Sequence, residues 1–315
     1  MRSIGGYLEL DPGNGSSWHA DATAFDLGRH ALEAILRARG YSRLHAPRYT
    51  CDVLGAAINR SGVELLLYEV DDRLEPLLSM ETLQEGDALL CTNYCGLKED
   101  MVDRLARTHK NLIVDNAQAF YAPLPAGADG FVSCRKFFGV ADGAYAICDA
   151  IKSPPAATAS TAERYAHLFT ALEQGIESGF PLSQVHERRL DEAPVRGMSR
   201  FTRALLSRVD HELVIAARRR NRDRLHAALG ATNQLPIDPA AASVPMAYPY
   251  LSGAPGLRDR LLAARIYVPR YWPATLAPLS ATDGGRLFSE QVLFLPVDQR
   301  YGDEDMDRMI AETLS

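Results

Sequence analysis

Short apolar runs alternate with amphipathic helical patterns in the first half of the chain. The runs that predict strands cover residues 43–46, 63–70, 88–92, 111–115, 130–133 and 144–148. Helical spacing of apolar residues predicts helices that begin near Gly28, near Asp52 and near Lys98. Strands that alternate with helices of about 10–15 residues are typical of βαβ units, in which helices cover a mainly parallel sheet. We therefore expect an α/β fold.

The pattern changes after Pro154 and Pro155. Residues 161–177 and 199–229 have helical patterns with many arginines and few strand signals. Strand patterns then return at residues 245–251, 266–269 and 291–296, with helices near 256–264 and 304–314. This order predicts a large domain in residues 1–160, followed in residues 161–315 by bridging helices and a smaller C-terminal α/β domain.

Composition and charge exclude several classes of function. With 34 Lys and Arg against 40 Asp and Glu, the chain has a formal charge of −6 and no basic tail, so nothing supports nucleic-acid binding. The five cysteines form no disulfide framework, and Cys91 and Cys95 lack a second pair with metal-ligand spacing, so we expect no metal. Residues 1–15 lack the apolar core of a signal peptide, and no stretch is suited to spanning a membrane. We expect a cytoplasmic protein.

Two ionisable residues follow predicted strands. Asp115 ends an apolar run, where ligands of open α/β sheets bind, although an aspartate there is equally typical of a helix N-cap or turn. Lys136 lies among aromatic residues, where desolvation favours a nucleophilic amine. A lone lysine is more often a solvated surface residue. Here, however, Ala144 begins the next strand, which places Lys136 in a short loop between two strands.

Gly28 adds a candidate anion site, because it begins a helix whose first turn carries a cation. Ser133 offers a hydroxyl three residues before Lys136. Pyridoxal 5′-phosphate (PLP) needs an amine for its aldehyde, a carboxylate for its pyridine nitrogen and an anion site for its phosphate. Lys136, Asp115 and the helix start at Gly28 supply one each.

The segments that carry these residues are similar to those of a known family. They cover residues 28–36, 47–51, 93–96, 114–118 and 133–143, and further similarity lies in residues 265–273 and 293–301. On these segments the sequence resembles the fold type I PLP-dependent enzymes, specifically the DegT/StrS-type nucleotide-sugar aminotransferases. The segments around Asp115 and Lys136 are the most specific. The resemblance implies that residues 1–160 form the PLP-binding domain.

The resemblance also implies roles for individual residues. Lys136 would form the Schiff base with the cofactor and transfer the proton during the reaction. Asp115 would pair with the pyridinium nitrogen, and Gln118 would approach the ring hydroxyl. Departures from the family pattern include the region after Ile151, which lacks the asparagine-rich motif by which a partner subunit contacts the phosphate.

The phosphate and the cofactor ring would be held by further residues. The resemblance assigns the phosphate to Ser133 and to the amides of Gly28 and Arg29, with His30 in the same helical turn. The guanidinium of Arg29 would then either contact the phosphate or point to solvent. Where the family stacks an aromatic ring on the cofactor this chain has Cys51, and either Tyr94 or Tyr49 is a substitute.

The implied reaction is transfer of an amino group from an amino acid, commonly glutamate, to a keto-sugar nucleotide by a homodimer. Two alternatives remain: a different PLP-dependent reaction on a small amino substrate, or a degenerate relative without catalysis. A dinucleotide-binding protein is disfavoured, because no predicted strand is followed by Gly-x-Gly-x-x-Gly.

Two more features have alternative interpretations. The arginines at positions 218, 219, 220 and 222 are expected to form a solvated helix face rather than a phosphate patch. Trp272, beside Arg270, is equally consistent with a substrate pocket and with a packed core.

Overall fold

The computed structural model describes residues 15–79, 82–161, 163–191, 193–237 and 243–315. Most of the segment on which the signal-peptide expectation rests therefore lies outside the described residues. The described strands form a sheet of eight and a sheet of two. They are β1 (Thr23–Phe25), β2 (Arg43–Pro47), β3 (Glu64–Val70), β4 (Pro76–Leu77), β5 (Ala88–Thr92), β6 (Leu112–Asn116), β7 (Asp129–Ser133), β8 (Ala144–Ile147), β9 (Ala247–Tyr250) and β10 (Leu293–Pro296).

Ten α-helices lie among the described residues. They are α1 (Gly28–Arg39), α2 (Val53–Ser61), α3 (Glu99–Thr108), α4 (Ala166–Gln174), α5 (Ile176–Asp191), α6 (Arg200–Leu206), α7 (His211–Leu229), α8 (Leu257–Ala263), α9 (Gly285–Glu290) and α10 (Asp303–Leu314). None of the helices in the described ranges is long and apolar enough to cross a membrane.

The large sheet has the order β1-β8-β7-β6-β5-β2-β3-β4. Its centre, from β3 through β2, β5 and β6 to β7, is parallel, whereas β1, β8 and β4 pair antiparallel. The central strands β5 and β6 are buried throughout, as expected when helices cover both faces of a sheet. The predicted mainly parallel α/β fold is confirmed.

Helices pack on the two faces of this sheet. Leu32 and Ile35 of α1 belong to a core cluster with residues of α2 and the sheet. Met101 and Leu105 of α3 belong to a second cluster, which also contains residues of the C-terminal part of the chain such as Phe294 of β10. The C-terminal segments therefore pack against the face opposite α1. The division into residues 1–160 and 161–315 stays a prediction.

Three predictions about the second half were inaccurate. Residues 199–229 form two helices rather than one, because the Asp210 carboxylate accepts a hydrogen bond from the Leu213 amide (3.0 Å) and starts α7 anew. The helical region predicted to end at residue 177 is α4 and α5, separated at Gly175 with φ of 93° and continuing to Asp191. Residues 266–269 form no strand, and Pro269, at the end of this segment, has no amide to pair.

The expected solvated arginine face of α7 is also wrong in part. Arg218 is 1% exposed and Arg222 is 5% exposed. The guanidinium groups of both donate to main-chain carbonyls, Arg218 to that of Pro245 (3.0 Å) and Arg222 to that of Ser243 (3.0 Å). Carbonyl oxygens from distant segments therefore accept the hydrogen bonds that we expected these guanidinium groups to make with water.

Candidate active site

Lys136 lies in the loop between the neighbouring antiparallel strands β7 and β8. The base of this loop is closed by the Cys134 amide, which donates to the carbonyl of Gly143 (3.0 Å). Gly143 has a φ of 119°, and a Cβ there would lie 3.2 Å from the Cys134 Cβ, so glycine is required. The prediction of a short loop between two strands is confirmed.

Asp115 lies near the carboxyl end of β6, and its side chain is buried. Its Oδ1 accepts a hydrogen bond from the Ala117 amide (2.9 Å). Burial raises the pKa of Asp115, while the positive charge of Lys136 and the Ala117 hydrogen bond act in the opposite direction. The carboxylate and the amine are thus close enough to interact electrostatically.

Cys51 lies in the same neighbourhood. Burial raises the pKa of its thiol, and the charge of Lys136 opposes that rise. Cys51 also forms a β-bridge with Thr275, which connects the turn after β2 to the loop that carries Trp272. The structure therefore brings Lys136, Asp115 and Cys51 into one neighbourhood. The C-terminal loop that carries Trp272 adjoins it.

Three aromatic side chains pack beside Lys136. The Lys136 Nζ lies 5.7 Å from the ring centroid of Trp272. Tyr49 and Tyr94 stack with centroids 5.6 Å apart, and the Trp272 ring meets both edge-on at 5.0 and 5.8 Å. The Tyr94 hydroxyl donates to the carbonyl of Tyr49 (2.8 Å). Tyr49 and Tyr94, the two candidates for the ring that Cys51 does not provide, thus belong to one aromatic cluster. Within this cluster Trp272 contacts the Lys136 amine.

Gln118 joins the loops at this edge of the sheet. Its Oε1 accepts a hydrogen bond from the Cys95 amide (2.8 Å), in the single 3₁₀ turn that Tyr94 begins. Burial raises the pKa of Cys95 to about 12, and the charge of Lys136 opposes this rise. Cys95 thus belongs to the surroundings of the amine. The sequence did not predict that Cys95 lies near Lys136, because its spacing from Cys91 was considered only as a possible metal pair and set aside.

The start of α1 lies against β7. A Cβ at Gly28 would contact the ring of Phe131 (3.6 Å), and Phe131 pairs with Asp115 in the sheet register. Ser133 ends the same strand. The residue before the helix, Leu27, provides no side-chain cap, so the first amides of α1 keep the character of an anion site.

The side chains of Arg29 and His30 are engaged by other protein groups. Arg29 donates to the Leu190 carbonyl (2.8 Å) and to the Asp191 carboxylate (3.3 Å) at the end of α5. The expectation that this guanidinium points to solvent is therefore wrong, whereas its contact with a phosphate stays a prediction. His30 Nδ1 is 2.6 Å from the Asp26 carboxylate. The His30 amide donates to the Leu27 carbonyl (3.1 Å), and the buried His30 Nε2 has no hydrogen-bond partner. For an anion, the candidate donors of this turn are therefore the amides of Gly28 and Arg29 and the His30 Nε2.

Buried polar atoms without a hydrogen-bond partner occur in several parts of the described chain, and some of them lie at the carboxyl edge of the sheet. Within the described ranges they include the hydroxyls of Tyr49 and Thr50 after β2 and the Asn116 Nδ2 at the end of β6. Such atoms are rare in folded proteins, and a bound ligand or water supplies the partner they lack. These residues were not assigned as polar ligand contacts from the sequence.

A cavity of about 340 Å³ lies beside the aromatic cluster. Its walls include Tyr49, Tyr94, Tyr271, Trp272, Phe288 and Phe294, and Gln118 also lines it. This position answers the question about Trp272, which is both buried and part of a pocket wall.

Charged residues line another part of the cavity. Lys98 Nζ lies 2.9 Å from a Glu75 oxygen, and Arg104 contacts the other oxygen of Glu75. Partial burial acts to raise the pKa of Glu75, but the two cations together lower it below its usual value. The two cations are therefore compensated within the chain.

A group of potential metal ligands lies away from this site. Asp129, Cys148 and Asp149 are close enough together to hold an ion. Arg39, however, donates to the carboxylates of Asp129 (2.8 Å) and Asp149 (2.6 Å). Among the described residues this group is accounted for by an ion-pair cluster.

The fold is similar to those of solved aminotransferases, which include a putative sugar aminotransferase. A DegT DnrJ EryC1 StrS aminotransferase from Brucella abortus aligns with a TM-score of 0.62 at 18% identity, over 93% of this chain and 85% of that chain. DesV of S. venezuelae aligns with a TM-score of 0.65 at 17% identity, over 92% and 83%. Spr1654 of Streptococcus pneumoniae, in its PLP form, aligns with a TM-score of 0.64 at 14% identity, over 93% and 86%.

The likeness is one of structure rather than of sequence. No protein-family model matches the sequence, and no curated protein matches it. The TM-scores of 0.62 to 0.65 show a shared fold, here the fold type I α/β architecture that the resemblance implied, and identities of 14% to 18% show no more than that fold.

Proposed function

We propose that this protein is a PLP-dependent aminotransferase in which Lys136 carries the cofactor. The single observation on which this depends is that Lys136 and the buried Asp115 lie close enough to interact electrostatically at the carboxyl edge of a fold type I sheet. The structural neighbour Spr1654 has been solved in PLP and PMP forms, which supports the choice of cofactor.

The residues at this edge fit PLP. An amine and a carboxylate face a common region, and the uncapped start of α1 with Ser133 supplies donors of the kind that phosphate needs. The unpartnered hydroxyls of Tyr49 and Thr50 indicate that polar groups of a ligand belong here. We propose residues 1–160 as the domain that holds the cofactor.

When bound, PLP would act as the electron sink of the reaction. The protein would supply placement and proton transfer. Lys136 would transfer the proton at its Nζ, and Asp115 would keep a cationic nitrogen paired. Gln118, held by the Cys95 amide, would approach the ring hydroxyl. Ser133 and the Gly28 amide would bind the phosphate.

We propose a keto-sugar nucleotide as the amino acceptor and an amino acid, glutamate, as the donor. The aromatic walls of the cavity support a sugar, because faces of sugar rings are apolar and pack on aromatic side chains. Lys98 and Arg104 support an anionic group in the acceptor, which would compete with Glu75 for them.

We propose a homodimer as the functional form. Exposed apolar side chains are concentrated on α4, α5 and the turn between them, including Phe169, Leu172, Ile176 and Phe180. Apolar patches of this kind are usually covered in the functional state of a protein. The end of α5 contacts Arg29, so a partner on this surface would lie close to the proposed phosphate site.

The test is a half-reaction followed by absorbance. The protein incubated with PLP should gain a band near roughly 410–430 nm, which glutamate should bleach as the cofactor takes up the amino group. Asp115→Asn should keep the band and slow the bleaching by about a hundredfold or more, because the ring loses its charged partner.

The outcomes separate the alternatives. A band that no amino acid bleaches would contradict transamination and favour another PLP-dependent reaction. Failure to form the band at all would contradict the choice of cofactor and favour a relative without catalysis.

A further inference from the structure

The main-chain carbonyl of Phe137, the residue after Lys136, is held by two side chains from the C-terminal half of the chain. Gln299 Nε2 donates to it at 2.8 Å, and Arg218 Nη2 donates to it at 3.3 Å. The two side chains are also joined, since Arg218 Nε donates to Gln299 Oε1 (3.0 Å). A closed set of hydrogen bonds thus forms beside the candidate catalytic lysine.

Arg218 is buried, and oxygens compensate its charge. Its Nη1 donates to the carbonyls of Pro245 (3.0 Å) and Met246 (3.3 Å), and its guanidinium carbon lies 4.2 Å from the ring centroid of Phe137. Burial lowers the pKa of Arg218 to about 10, so the group remains a cation at neutral pH. A buried cation is costly unless hydrogen bonds compensate it, and here each of the three guanidinium nitrogens donates to an oxygen.

The acceptors of Arg218 belong to two loops of the candidate site. Phe137 follows Lys136 directly. The Met246 amide donates to the carbonyl of Cys95 (2.9 Å), and the Cys95 amide donates in turn to Gln118. Arg218 therefore connects the lysine loop with the turn that holds Gln118.

The lysine loop needs such support. Lys136 is the last residue of a single 3₁₀ turn, Cys134–Lys136, and short 3₁₀ turns have poor hydrogen-bond geometry. A lysine side chain is long and flexible, so the position of its amine depends on the backbone from which it projects.

We propose that Arg218 and Gln299 are positioning residues that fix the backbone at Lys136 and thereby hold its amine toward Asp115. The proposal rests on the proposed role of the Lys136 amine. The hydrogen bonds themselves are independent of which reaction that amine serves.

The test compares Gln299→Leu and Arg218→Lys with Arg224→Ala. Arg224 is on the same helix but pairs with Asp307 of α10 at the surface, so it serves as the matched control. Gln299→Leu keeps the side-chain volume and removes the hydrogen bonds of Gln299 with the Phe137 carbonyl and with Arg218. Arg218→Lys keeps the positive charge but lacks the several N–H donors of the guanidinium group. Gln299→Leu leaves the buried cation in place and so covers the case in which Arg218→Lys does not fold.

The first measurement is hydrogen exchange of residues 134–138 in the purified protein. The amides of Phe137 and Phe138 both donate to the Cys134 carbonyl, so they report on the turn. The second measurement is the rate at which pyridoxal and borohydride covalently modify each lysine, followed as a function of pH. The chain has four lysines, and Lys98, Lys110 and Lys152 serve as internal controls.

We expect exchange in residues 134–138 to rise, and the rate of trapping at Lys136 to fall, by about tenfold in Gln299→Leu and Arg218→Lys, because in each variant the Phe137 carbonyl loses one of its two hydrogen bonds. Trapping at the other lysines should be unchanged, and Arg224→Ala should match the wild type. Unchanged exchange would overturn the proposal. So would faster exchange with unchanged trapping, because the pair would then hold the loop without positioning the amine.

The same experiment separates this proposal from the proposed function. If Lys136 of the wild type is trapped no faster than the other lysines while exchange responds to both variants, the role of the amine is contradicted. The hydrogen-bond support of the loop would then stand as a structural feature only.

Discussion

In most proteins large apolar side chains are buried and charged side chains are exposed. Two helical regions of the C-terminal half differ from this pattern in opposite ways. The hairpin of α4 and α5 exposes large apolar groups, with Leu172 81% exposed, and no residue of α4 is buried. Helix α7 instead buries polar groups, including Arg218, Asn221 and Arg222. Each departure indicates what the helix contacts.

For α7 the contacts lie within the chain. Arg218 is bound by carbonyls of the loops around Lys136, and the Asn221 amide donates to the carbonyls of Val297, Asp298 and Tyr301. For α4 and α5 the expected partner is a second copy of the chain. We thus propose that the buried charges of α7 support the candidate site within the chain, and that the exposed apolar groups of α4 and α5 are covered in the proposed dimer.

The largest expected effect is that of removing the buried cation. Arg218→Met should lower the free energy of unfolding by about 3 kcal/mol, because several carbonyl oxygens lose their donor in the interior. Arg224→Met, at the surface of the same helix, should leave the unfolding midpoint unchanged. Urea titrations of both variants make this comparison. Equal effects at the two positions would remove the distinction between the buried and the exposed cations of α7.

Substitutions of the exposed apolar residues of the α4–α5 hairpin should weaken the dimer rather than lower the free energy of unfolding. Leu172→Asp should raise the dissociation constant of the dimer by roughly 30-fold or more, since a buried leucine contributes about 2 kcal/mol. Leu213→Asp, at an exposed leucine of α7, is the control. Sedimentation at several concentrations measures both. A wild-type protein that stays monomeric at high concentration would contradict the proposed dimer.

The charged residues of the cavity lie between these extremes, because Lys98 and Arg104 are partly exposed yet paired with Glu75. Glu75→Gln should lower KM for a nucleotide-linked acceptor by about fivefold, because two cations become available to the anion. A free keto-sugar should show no change. Steady-state kinetics with both acceptors decide. Equal KM changes would contradict a diphosphate contact at these cations.

Asp87, which directly precedes β5 of the large sheet, provides a baseline outside both helical regions. Burial acts to raise the pKa of Asp87, but hydrogen bonds from the Gln84 amide, Arg43 and His45 lower it to about 2. The unfolded value is near 3.9, so the stabilisation is present above that pH and lost as the pH falls toward 2. Asp87→Asn should flatten the pH dependence of the unfolding midpoint in this window. An unchanged slope would show that Asp87 does not contribute.

The central sheet and the pair Asp115 and Lys136 were predictable because they depend on local signals. The strands β5 to β7 contain apolar runs; Asp115 ends one of these runs, and Lys136 lies three residues after the end of β7. Arg218 was not predictable as a buried group. Its acceptors lie at Phe137, Pro245 and Met246, far away along the chain, and an arginine-rich helix carries no sign of them. Cys95 was equally hidden, because only packing places it near Lys136.

The most direct test of the account is the site of covalent attachment of PLP. The protein incubated with PLP, reduced with borohydride and digested should carry the modification on the peptide that contains Lys136, and the absorbance band should disappear on reduction. Lys136→Ala should form neither band nor adduct. Modification mainly at Lys98, Lys110 or Lys152, or a band that persists in Lys136→Ala, would contradict the assignment of Lys136.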